Sequence, residues 1–405
     1  MGLHDLDLPG QLFRGETAHP GEPARHVYLH RGDQFLLDPV RAAGRICFHC
    51  PHRQRRLPRA GFVSGLIHCS VYFILSKGKI RASRMKWTYG YVFLALSWSM
   101  NGSAATGTCD SQDEYILLLH GGFASAPERV ERQHLDVLKR AVTVGLKALA
   151  NGATALDVVE DSIVLLEDAG IYDAGKGSYF NSEGFVENDA SLMEGHTGRA
   201  GAVAAAQSLR NPIRAARIAM DRTPHVLFVG ATGEATLIEL GAEAVEDPKS
   251  YFKEYRPPPP QEPAEEHGTV GAVALDRCGN LAAGTSTGGT PGKMPGRVGD
   301  SPMIGASSFA NAKYALSATG KGEHFIRRAA THDIAARAEY LGVPLQDAAD
   351  YVVRELIGDM DQAQGAVIAI SAAGDIVLSS NGYGVMYGVG SNILAATVGA
   401  EVKYQ

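Results

Sequence analysis

The stretch EHGTVGAVALD, residues 266–276, decides how the middle of this chain folds and what chemistry it can carry. The small and apolar residues from Val270 onward are typical of a buried β-strand. Thr269 lies at the start of that strand, after a glycine and after a charged segment with four consecutive prolines, residues 257–260. Cleavage of the Gly268–Thr269 bond would give Thr269 a free α-amino group, which can activate the threonine's own hydroxyl as a nucleophile. Because such an amine has an unperturbed pKa of about 7.7 to 8.0, it can act as general base near neutral pH.

The same stretch also fits an ordinary core strand, so the residues that follow it carry the argument. Three further segments come downstream in a fixed order: TSTGG at 285–289, GRVGDSP at 296–302 and SATGKGE at 317–323. Each combines glycines with hydroxyl or charged side chains. Four such segments in this order favour a catalytic site over a plain strand.

Together these segments resemble the plant-type (type 2) asparaginase and isoaspartyl peptidase family of N-terminal nucleophile hydrolases, from about residue 115 to the C-terminus. The resemblance implies an α+β fold, a four-layer αββα sandwich. It implies a precursor that cuts itself between Gly268 and Thr269 into an α subunit, residues 105–268, and a β subunit, residues 269–405. It further implies that two αβ units form a dimer, and that catalysis needs no cofactor.

The resemblance also implies roles for the hydroxyl and glycine residues of the four segments. Thr269 is the nucleophile, and Thr287, which the hairpin brings beside it, hydrogen-bonds it and assists self-cleavage. The Thr319 hydroxyl and the Gly320 backbone N–H resemble the family's oxyanion-stabilising pair. The alternative interpretation is structural: Thr287 is an ordinary strand threonine, and Gly320 is a glycine that ends a strand after Thr319.

Charged residues on the glycine-rich loop fit the two ends of an amino-acid head group. The Arg297 guanidinium can bind a carboxylate in bidentate fashion, and the Asp300 carboxylate can bind an ammonium group. The resemblance adds Gly320 and the Gly322 carbonyl to this substrate-binding set. An ordinary surface ion pair is the alternative.

The segment GIYDAGKGS, residues 170–178, partly matches the sequence pattern of a phosphate-binding loop. It lacks the Ser or Thr after Lys176 and follows a predicted helix rather than a strand, which disfavours nucleotide binding. In the family this position resembles a loop that holds a structural sodium or potassium ion through backbone carbonyls, here those of Leu166, Glu167, Ala169, Tyr172, Ala174 and Lys176. The family usually has Asn where this chain has Asp173.

The composition is that of a globular protein, but residues 1–84 differ from the rest of the chain in charge. The whole chain carries a net charge of −6, although residues 1–84 hold 13 Lys and Arg against 6 Asp and Glu. The remainder is therefore strongly acidic, which argues against nucleic acid as a partner. Residues 1–84 show no sustained helical or strand period and are interpreted as unstructured, mis-assigned upstream sequence. Cys47 and Cys50 have a zinc-like spacing without a matching second pair. The alternative from another class is therefore a non-catalytic protein that binds zinc through these cysteines or a nucleotide through the Gly175–Lys176 loop.

Residues 85–104 have the layout of a signal peptide, with Met85 as the start, a basic residue, a short apolar run and small residues at the end. The apolar run is too short for a membrane span, so no membrane partner is expected. A start at Met85 predicts a periplasmic or secreted protein, and otherwise a cytoplasmic one. A mature chain from about Ala105 keeps Cys109 and Cys278, which allows one disulfide at most.

The leading interpretation is an amidohydrolase that cleaves β-aspartyl dipeptides and L-asparagine and releases L-aspartate. Both substrates have free α-amino and α-carboxyl groups beside a side-chain carbonyl. N4-(β-N-acetylglucosaminyl)-L-asparaginase (glycosylasparaginase) is the alternative on the same fold, because it shares the GRVGDSP segment. Residues 246–266 are predicted to be an exposed, extended linker that is released on cleavage.

Overall fold

The computed structural model describes residues 113–124, 130–252, 268–360, 364–381 and 384–400. These all belong to the compact unit formed by residues 101–405. The predictions for residues 1–84, for the Cys47 and Cys50 pair, for the signal peptide and for most of the linker lie outside the described residues. Within them, no helix has the length and apolar character needed to cross a bilayer.

The strands are β1 Ile116–Ala124, β2 Asn188–Glu194, β3 Ala200–Ala206, β4 Leu227–Val229, β5 Val270–Leu275, β6 Leu281–Thr287, β7 Phe309–Ala310, β8 Tyr314–Gly320, β9 Gly365–Ser371, β10 Ile376–Ser380, β11 Gly384–Ser391 and β12 Thr397–Gly399. The helices are α1 Arg132–Ala150, α2 Ala155–Ala169, α3 Pro212–Arg222, α4 Gly230–Glu239, α5 Pro248–Tyr251, α6 Gly322–Arg328, α7 Ala330–Ala336 and α8 Leu345–Asp350. Two π-helical segments, Arg337–Leu341 and Tyr351–Ile357, extend α7 and α8.

The strands form two sheets. The larger has the order β12-β11-β1-β5-β6-β2-β3-β4, and the smaller has the order β10-β9-β8-β7. Neighbouring strands are antiparallel except β3 and β4, which are parallel. Strand β5, which follows Thr269, lies in the middle of the large sheet between β1 and β6. β5 is therefore paired on both sides from Gly271 onward, and its first residue, Val270, is paired with β6 alone.

Three apolar cores account for the layering. Helices α1, α2 and α3 pack on one face of the large sheet, and α6 to α8 with their π-helical extensions pack on the small sheet. A third core lies between the two sheets and includes Leu118, Val273 and Ile368. Each fully buried side chain of this size stabilises the fold by about 1.5–3 kcal/mol. The prediction of a mixed α and β fold is confirmed in its coarse form, two sheets with helices.

Helix α2 shows how the sequence sets its own ends. The Thr154 hydroxyl accepts a hydrogen bond from the Asp157 N–H at 3.2 Å, as expected of an N-cap. The helix ends at Gly170, whose φ of 65° is a left-handed conformation that glycine adopts readily. The chain then enters the loop that lies beside Thr269.

The hairpin between β5 and β6 turns as the sequence predicts. Asp276 organises the turn, because its Oδ1 accepts the N–H groups of Cys278 at 2.9 Å and Asn280 at 3.0 Å. Its Oδ2 accepts the Ala155 N–H at 3.0 Å and so joins the turn to α2. Cys278 is disulfide-bonded, and its partner lies outside the described residues.

Three elements differ from the sequence-based expectation. The linker predicted for residues 246–266 does not begin extended: Asp247 caps the short helix α5, which stands at its start. The helix predicted from Gly322 to residue 341 is broken at Ala329, where φ is 45°. Strands β11 and β12 were not predicted, and β11 completes the large sheet beside β1.

Candidate active site

Thr269 and Thr287 meet at the same end of the β5–β6 hairpin. Thr269 immediately precedes β5, Thr287 is the last residue of β6, and the first paired residues are Val270 and Ser286. The two threonine Oγ1 atoms lie 2.9 Å apart. Thr269 is half-buried, so its hydroxyl is held by Thr287 while one side stays accessible.

The carbonyl before Thr269 is also held. Gly268 O accepts the Asp173 backbone N–H at 3.2 Å. A Cβ on Gly122 would lie 2.2 Å from the Gly268 Cα, so the two glycine backbones touch directly. Gly122 has φ of 111°, which favours glycine for a second reason. The end of β1 therefore lies in direct contact with Gly268, the residue before the bond predicted to be cut.

Asp173 is a buried carboxylic acid in contact with Thr287. Its Oδ2 accepts the Thr287 hydroxyl at 3.3 Å, and its Oδ1 accepts the Tyr179 N–H at 3.0 Å. Burial raises the pKa of Asp173 to about 7, and the positive charge of Lys293 opposes part of that rise. The acid that replaces the family's usual Asn thus lies one hydroxyl away from Thr269.

Thr319 and Gly320 end strand β8 of the small sheet. Thr319 is buried, and a Cβ on Gly320 would lie 2.3 Å from the Gln364 carbonyl oxygen. Two residues earlier, the Ser317 Oγ lies 2.9 Å from Nε2 of His120, and the Nδ1 of that ring lies 3.0 Å from the Thr269 carbonyl. This chain of contacts connects the end of β8 to the start of β5.

Arg297, Asp300 and Gly322, the residues predicted to bind the head group, lie close together. A Cβ on Gly322 would lie 2.7 Å from Asp300 Oδ1 and 3.1 Å from Arg297 Nη2, so this glycine lies against both charged groups. Asp300 is buried, its Oδ2 has no hydrogen-bond partner among the described residues, and burial raises its pKa to about 7. Arg297 Nε and Nη2 each lie 3.0 Å from one carboxylate oxygen of Glu323.

Asp189 connects this charged loop to the threonines. It is paired with Thr287 across β2 and β6. Its Oδ2 accepts the Gly299 N–H at 3.2 Å, and its Oδ1 accepts the Ala205 N–H at 2.9 Å. Burial raises the pKa of Asp189, and the charge of Lys293 lowers it. The loop that carries Arg297 is therefore fastened directly behind Thr287.

The loop predicted to hold an ion follows α2. Leu166, Glu167 and Ala169 lie in the last turn of α2, where helix carbonyls lack helical donors. Two further carbonyls are engaged inside the loop, since Tyr172 O accepts the Ala174 N–H at 2.8 Å and Ala174 O accepts the Gly177 N–H at 3.2 Å. A carbonyl oxygen has two lone pairs, so these bonds leave acceptor capacity. The loop follows a helix, which is unlike a phosphate-binding loop.

Sequence reasoning missed three residues of this site: His120, Asp189 and Glu323. Each contacts a partner that is distant in the sequence, for example His120 and Thr269, which are 149 positions apart. The available signals were weak. His120 ends an apolar run, and Glu323 follows Gly322 directly.

Comparison with known proteins gives a consistent result. A family model described as asparaginase matches residues 113–399. The isoaspartyl peptidase of Salmonella typhimurium is 41% identical over 293 residues, which cover 67% of this chain and 93% of that protein. The isoaspartyl peptidase of Escherichia coli is 40% identical over 294 residues, which cover 67% of this chain and 91% of that protein.

A human protein is similar as well. The isoaspartyl peptidase/L-asparaginase of Homo sapiens is 38% identical over 275 residues, which cover 65% of this chain and 88% of that protein. The family match spans more than half of the chain and includes every site residue described above. This chain is therefore a hydrolase that belongs to the asparaginase family.

Proposed function

We propose that this chain is a self-cleaving amidohydrolase that hydrolyses β-aspartyl (isoaspartyl) dipeptides and L-asparagine and releases L-aspartate. The contact that carries the proposal is the 2.9 Å approach of the Thr269 and Thr287 hydroxyls, directly after the Gly268 carbonyl. The three relatives described above are named isoaspartyl peptidases, and one of them also L-asparaginase. Their names favour this substrate class over the glycosylasparaginase alternative.

Maturation begins with the bond before Thr269. The Thr269 Oγ attacks the Gly268 carbonyl carbon and loses its proton, while the Thr269 nitrogen leaves with a proton as a free amine. Charge that develops on the Gly268 oxygen is stabilised by the Asp173 N–H. Water then hydrolyses the resulting ester. The products are a carboxylate at Gly268 and an N-terminal Thr269.

Substrate hydrolysis uses the new amine as base. The amine takes the Thr269 hydroxyl proton as Oγ attacks the side-chain carbonyl of the aspartyl unit, and it gives that proton to the leaving amine. The Thr319 hydroxyl and Gly320 N–H stabilise the oxyanion, a contribution of about 2.7–4 kcal/mol per donor. Water then cleaves the acyl-enzyme ester and releases aspartate.

The charged pair selects the head group. Arg297 binds the substrate α-carboxylate, and Asp300 with the Gly322 carbonyl binds the α-ammonium group. In the part of the chain that the structure describes, Asp300 Oδ2 is buried without a hydrogen-bond partner, which supports its role as a receptor for an incoming cation. Arg297 is engaged with Glu323, so the substrate carboxylate competes with Glu323 for the guanidinium.

We extend the proposal to four features of the whole protein. The three cores support the four-layer αββα sandwich of the N-terminal nucleophile hydrolases. The loop of residues 166–176 is a structural sodium or potassium site that uses the carbonyls named above. Two αβ units form a dimer. Translation from Met85 leads to export.

The test is the fate of Thr269. Wild-type protein should give a β chain whose N-terminus is Thr269, detected by intact mass and N-terminal sequencing. Thr269→Ala should remain one chain and be inactive, and Thr269→Ser should cleave more slowly because it keeps a hydroxyl. Thr290→Ala, on an exposed threonine nearby, is the control and should behave like wild type.

Full activity of an uncleaved wild-type chain would contradict the mechanism. An internal Thr269 has an amide nitrogen, which cannot act as a base. Cleaved protein that hydrolyses neither β-aspartyl-leucine nor asparagine would contradict the substrate class alone.

A further inference from the structure

A buried file of polar side chains runs from the small sheet to Thr269. Ser308 Oγ lies 2.7 Å from Thr285 Oγ1, which lies 2.7 Å from Ser317 Oγ. Ser317 Oγ in turn lies 2.9 Å from Nε2 of His120, and Nδ1 of the same ring lies 3.0 Å from the Thr269 carbonyl oxygen. All the side chains of this file are buried.

The donors of this file can be assigned in one direction, from Ser308 towards Thr269. A carbonyl oxygen only accepts, so Nδ1 of His120 must carry the proton that faces Thr269. Burial lowers the pKa of His120 to about 3, so the ring is neutral and Nε2 is an acceptor. Ser317 therefore donates to Nε2 at 2.9 Å, with the Gly284 carbonyl at 3.1 Å as a second acceptor for the same hydroxyl. Thr285 donates to Ser317, and Ser308 donates to Thr285. The file fixes both the tautomer and the orientation of the ring.

The His120 imidazole hydrogen-bonds the Thr269 carbonyl, which the backbone hydrogen bonds between β1 and β5 do not reach. The pairing of β1 with β5 ends at His120 and Gly271, two residues short of Thr269 along the strand. A Cβ on Gly271 would lie 2.2 Å from His120 Nε2 and 2.1 Å from Ser317 Oγ. The glycine thus leaves the space in which the ring and the serine hydroxyl meet.

Self-cleavage changes what this contact does. Before cleavage, Thr269 is anchored by the chain on both sides. Afterwards its nitrogen is free, and the backbone of Thr269 is restrained only through its carbonyl side and the Thr287 contact. The direction of the nucleophile then depends on the group that holds the Thr269 carbonyl.

We propose that His120 is a positioning residue, which holds the Thr269 carbonyl and so keeps the amine and hydroxyl of the mature N-terminus in attacking geometry. This inference rests on the proposed function, because it assigns a role in the same reaction. It differs from simple core packing in one respect. Only the Nδ1–H bond matters for the role, whereas packing depends on the whole ring.

Two substitutions separate these possibilities. In His120→Asn the amide nitrogen can occupy the place of Nδ1 and donate to Thr269. In His120→Gln the amide can occupy the place of Nε2, so it keeps the Ser317 contact and loses the Thr269 contact. For each variant, kcat and KM for β-aspartyl-leucine are measured per mole of cleaved chain, and unfolding is followed by a thermal melt.

We expect kcat of His120→Gln to fall about 10- to 100-fold, because a small misplacement of a reacting group costs up to about that much. His120→Asn should keep a kcat roughly tenfold above that of His120→Gln. KM should stay near the wild-type value in both, because Arg297 and Asp300 lie on a different loop. Ser317→Ala, which frees the ring to turn, should also lower kcat and not KM.

Equal kcat values for His120→Asn and His120→Gln would overturn the inference, and so would a rise in KM without a fall in kcat. If neither histidine variant folds, an unchanged kcat in Ser317→Ala overturns it. These results are distinct from failure of the proposed function, in which the wild-type chain itself is uncleaved or inactive.

Discussion

At the residue scale, two buried acids of this site, Asp173 and Asp300, have unusual pKa values. Asp173 and Asp300 both have pKa values raised to about 7 by burial, yet their surroundings differ. Asp173 has hydrogen bonds to both oxygens, whereas Asp300 Oδ2 has none among the described residues. The acid with the unpartnered oxygen is the one that the proposed reaction pairs with a substrate cation.

The raised pKa of Asp300 predicts a pH dependence. Only the carboxylate form attracts the substrate ammonium, so kcat/KM should fall as pH drops below about 7, and should rise as pH increases through that value. The amine of Thr269 adds a second rise near pH 8. Asp300→Asn should lower kcat/KM and remove the lower of the two steps while it leaves the upper one.

The measurement is kcat/KM for β-aspartyl-leucine between pH 5 and 9, an interval of about two units on either side of the expected pKa. Asp347→Asn, an exposed acid on α8, is the matched control and should keep both steps. A lower step that survives in Asp300→Asn would show that another group produces it.

Motif reasoning could name most of the residues gathered here, because four segments carry them in short, glycine-rich patterns. It could place Thr287 beside Thr269, since a hairpin with a recognisable turn joins their strands. It could not find His120 or Asp189. Their side chains act through contacts that the sheet order creates, and no local pattern encodes that order.

At the element scale, the end of strand β1 makes the contact that matters most for the proposed cleavage. β1 bulges after His120, and its Gly122 touches the backbone of Gly268. The apolar run from residue 115 predicts a strand that the following glycines stop. The strand forms, but it continues through the two glycines and the bulge to Ala124, so the predicted end was wrong. The contact with the cleavage site could not be predicted, because it depends on β1 lying directly beside β5.

Gly122→Ala should therefore slow or prevent self-cleavage. The new Cβ would lie 2.2 Å from the Gly268 Cα, which forces the scissile segment to move. Gly152→Ala is the matched control, because Gly152 also has a positive φ, 89°, but has open space around it. Each substitution carries a backbone strain of about 1–3 kcal/mol.

The fraction of cleaved chain against time, read from a denaturing gel, measures the effect. Gly152→Ala should lose stability and still mature at the wild-type rate. Equal maturation rates for Gly122→Ala and Gly152→Ala would mean that the contact with Gly268 has no part in cleavage.

The π-helical segments and strands β11 and β12 belong to the part of the fold that the sequence did not reveal. Apolar periodicity predicts helices after residues 322 and 343, but it does not show where the backbone hydrogen bonds change from the α-helical to the π-helical pattern, as they do in two short segments here. Strand β11 is rich in glycine, and such strands have a weak pattern. It becomes a strand because β1 offers it a long edge.

At the scale of the whole molecule, the proposed cut divides the large sheet between two chains. Strands β1 to β4 would belong to one chain, and β5, β6, β11 and β12 to the other. The strands of the two chains would alternate across the sheet, so the chains would pair at three places: β11 with β1, β1 with β5, and β6 with β2. Shared backbone hydrogen bonds and cores hold the two chains together.

Cys278 adds a covalent consequence to this division. It is disulfide-bonded, and the other four cysteines, Cys47, Cys50, Cys69 and Cys109, all precede the proposed cut. A disulfide within one molecule must therefore join the two products of cleavage. Of these four, only Cys109 follows the predicted signal peptide.

Matured protein should run as one band on a denaturing gel without reductant and as two bands with it. Cys278→Ser should give two bands in both lanes, and Thr269→Ala should give one band in both. Two bands for unreduced wild type would show that the chains are not linked.

If the chain is cut as proposed, the disulfide bond would keep the two products in one unit, in which each subunit meets the other at a fixed, high local concentration and dilution would not separate them. The mature enzyme could then unfold and refold as a unimolecular process despite being cut in two. It would lose that ability in a reducing compartment.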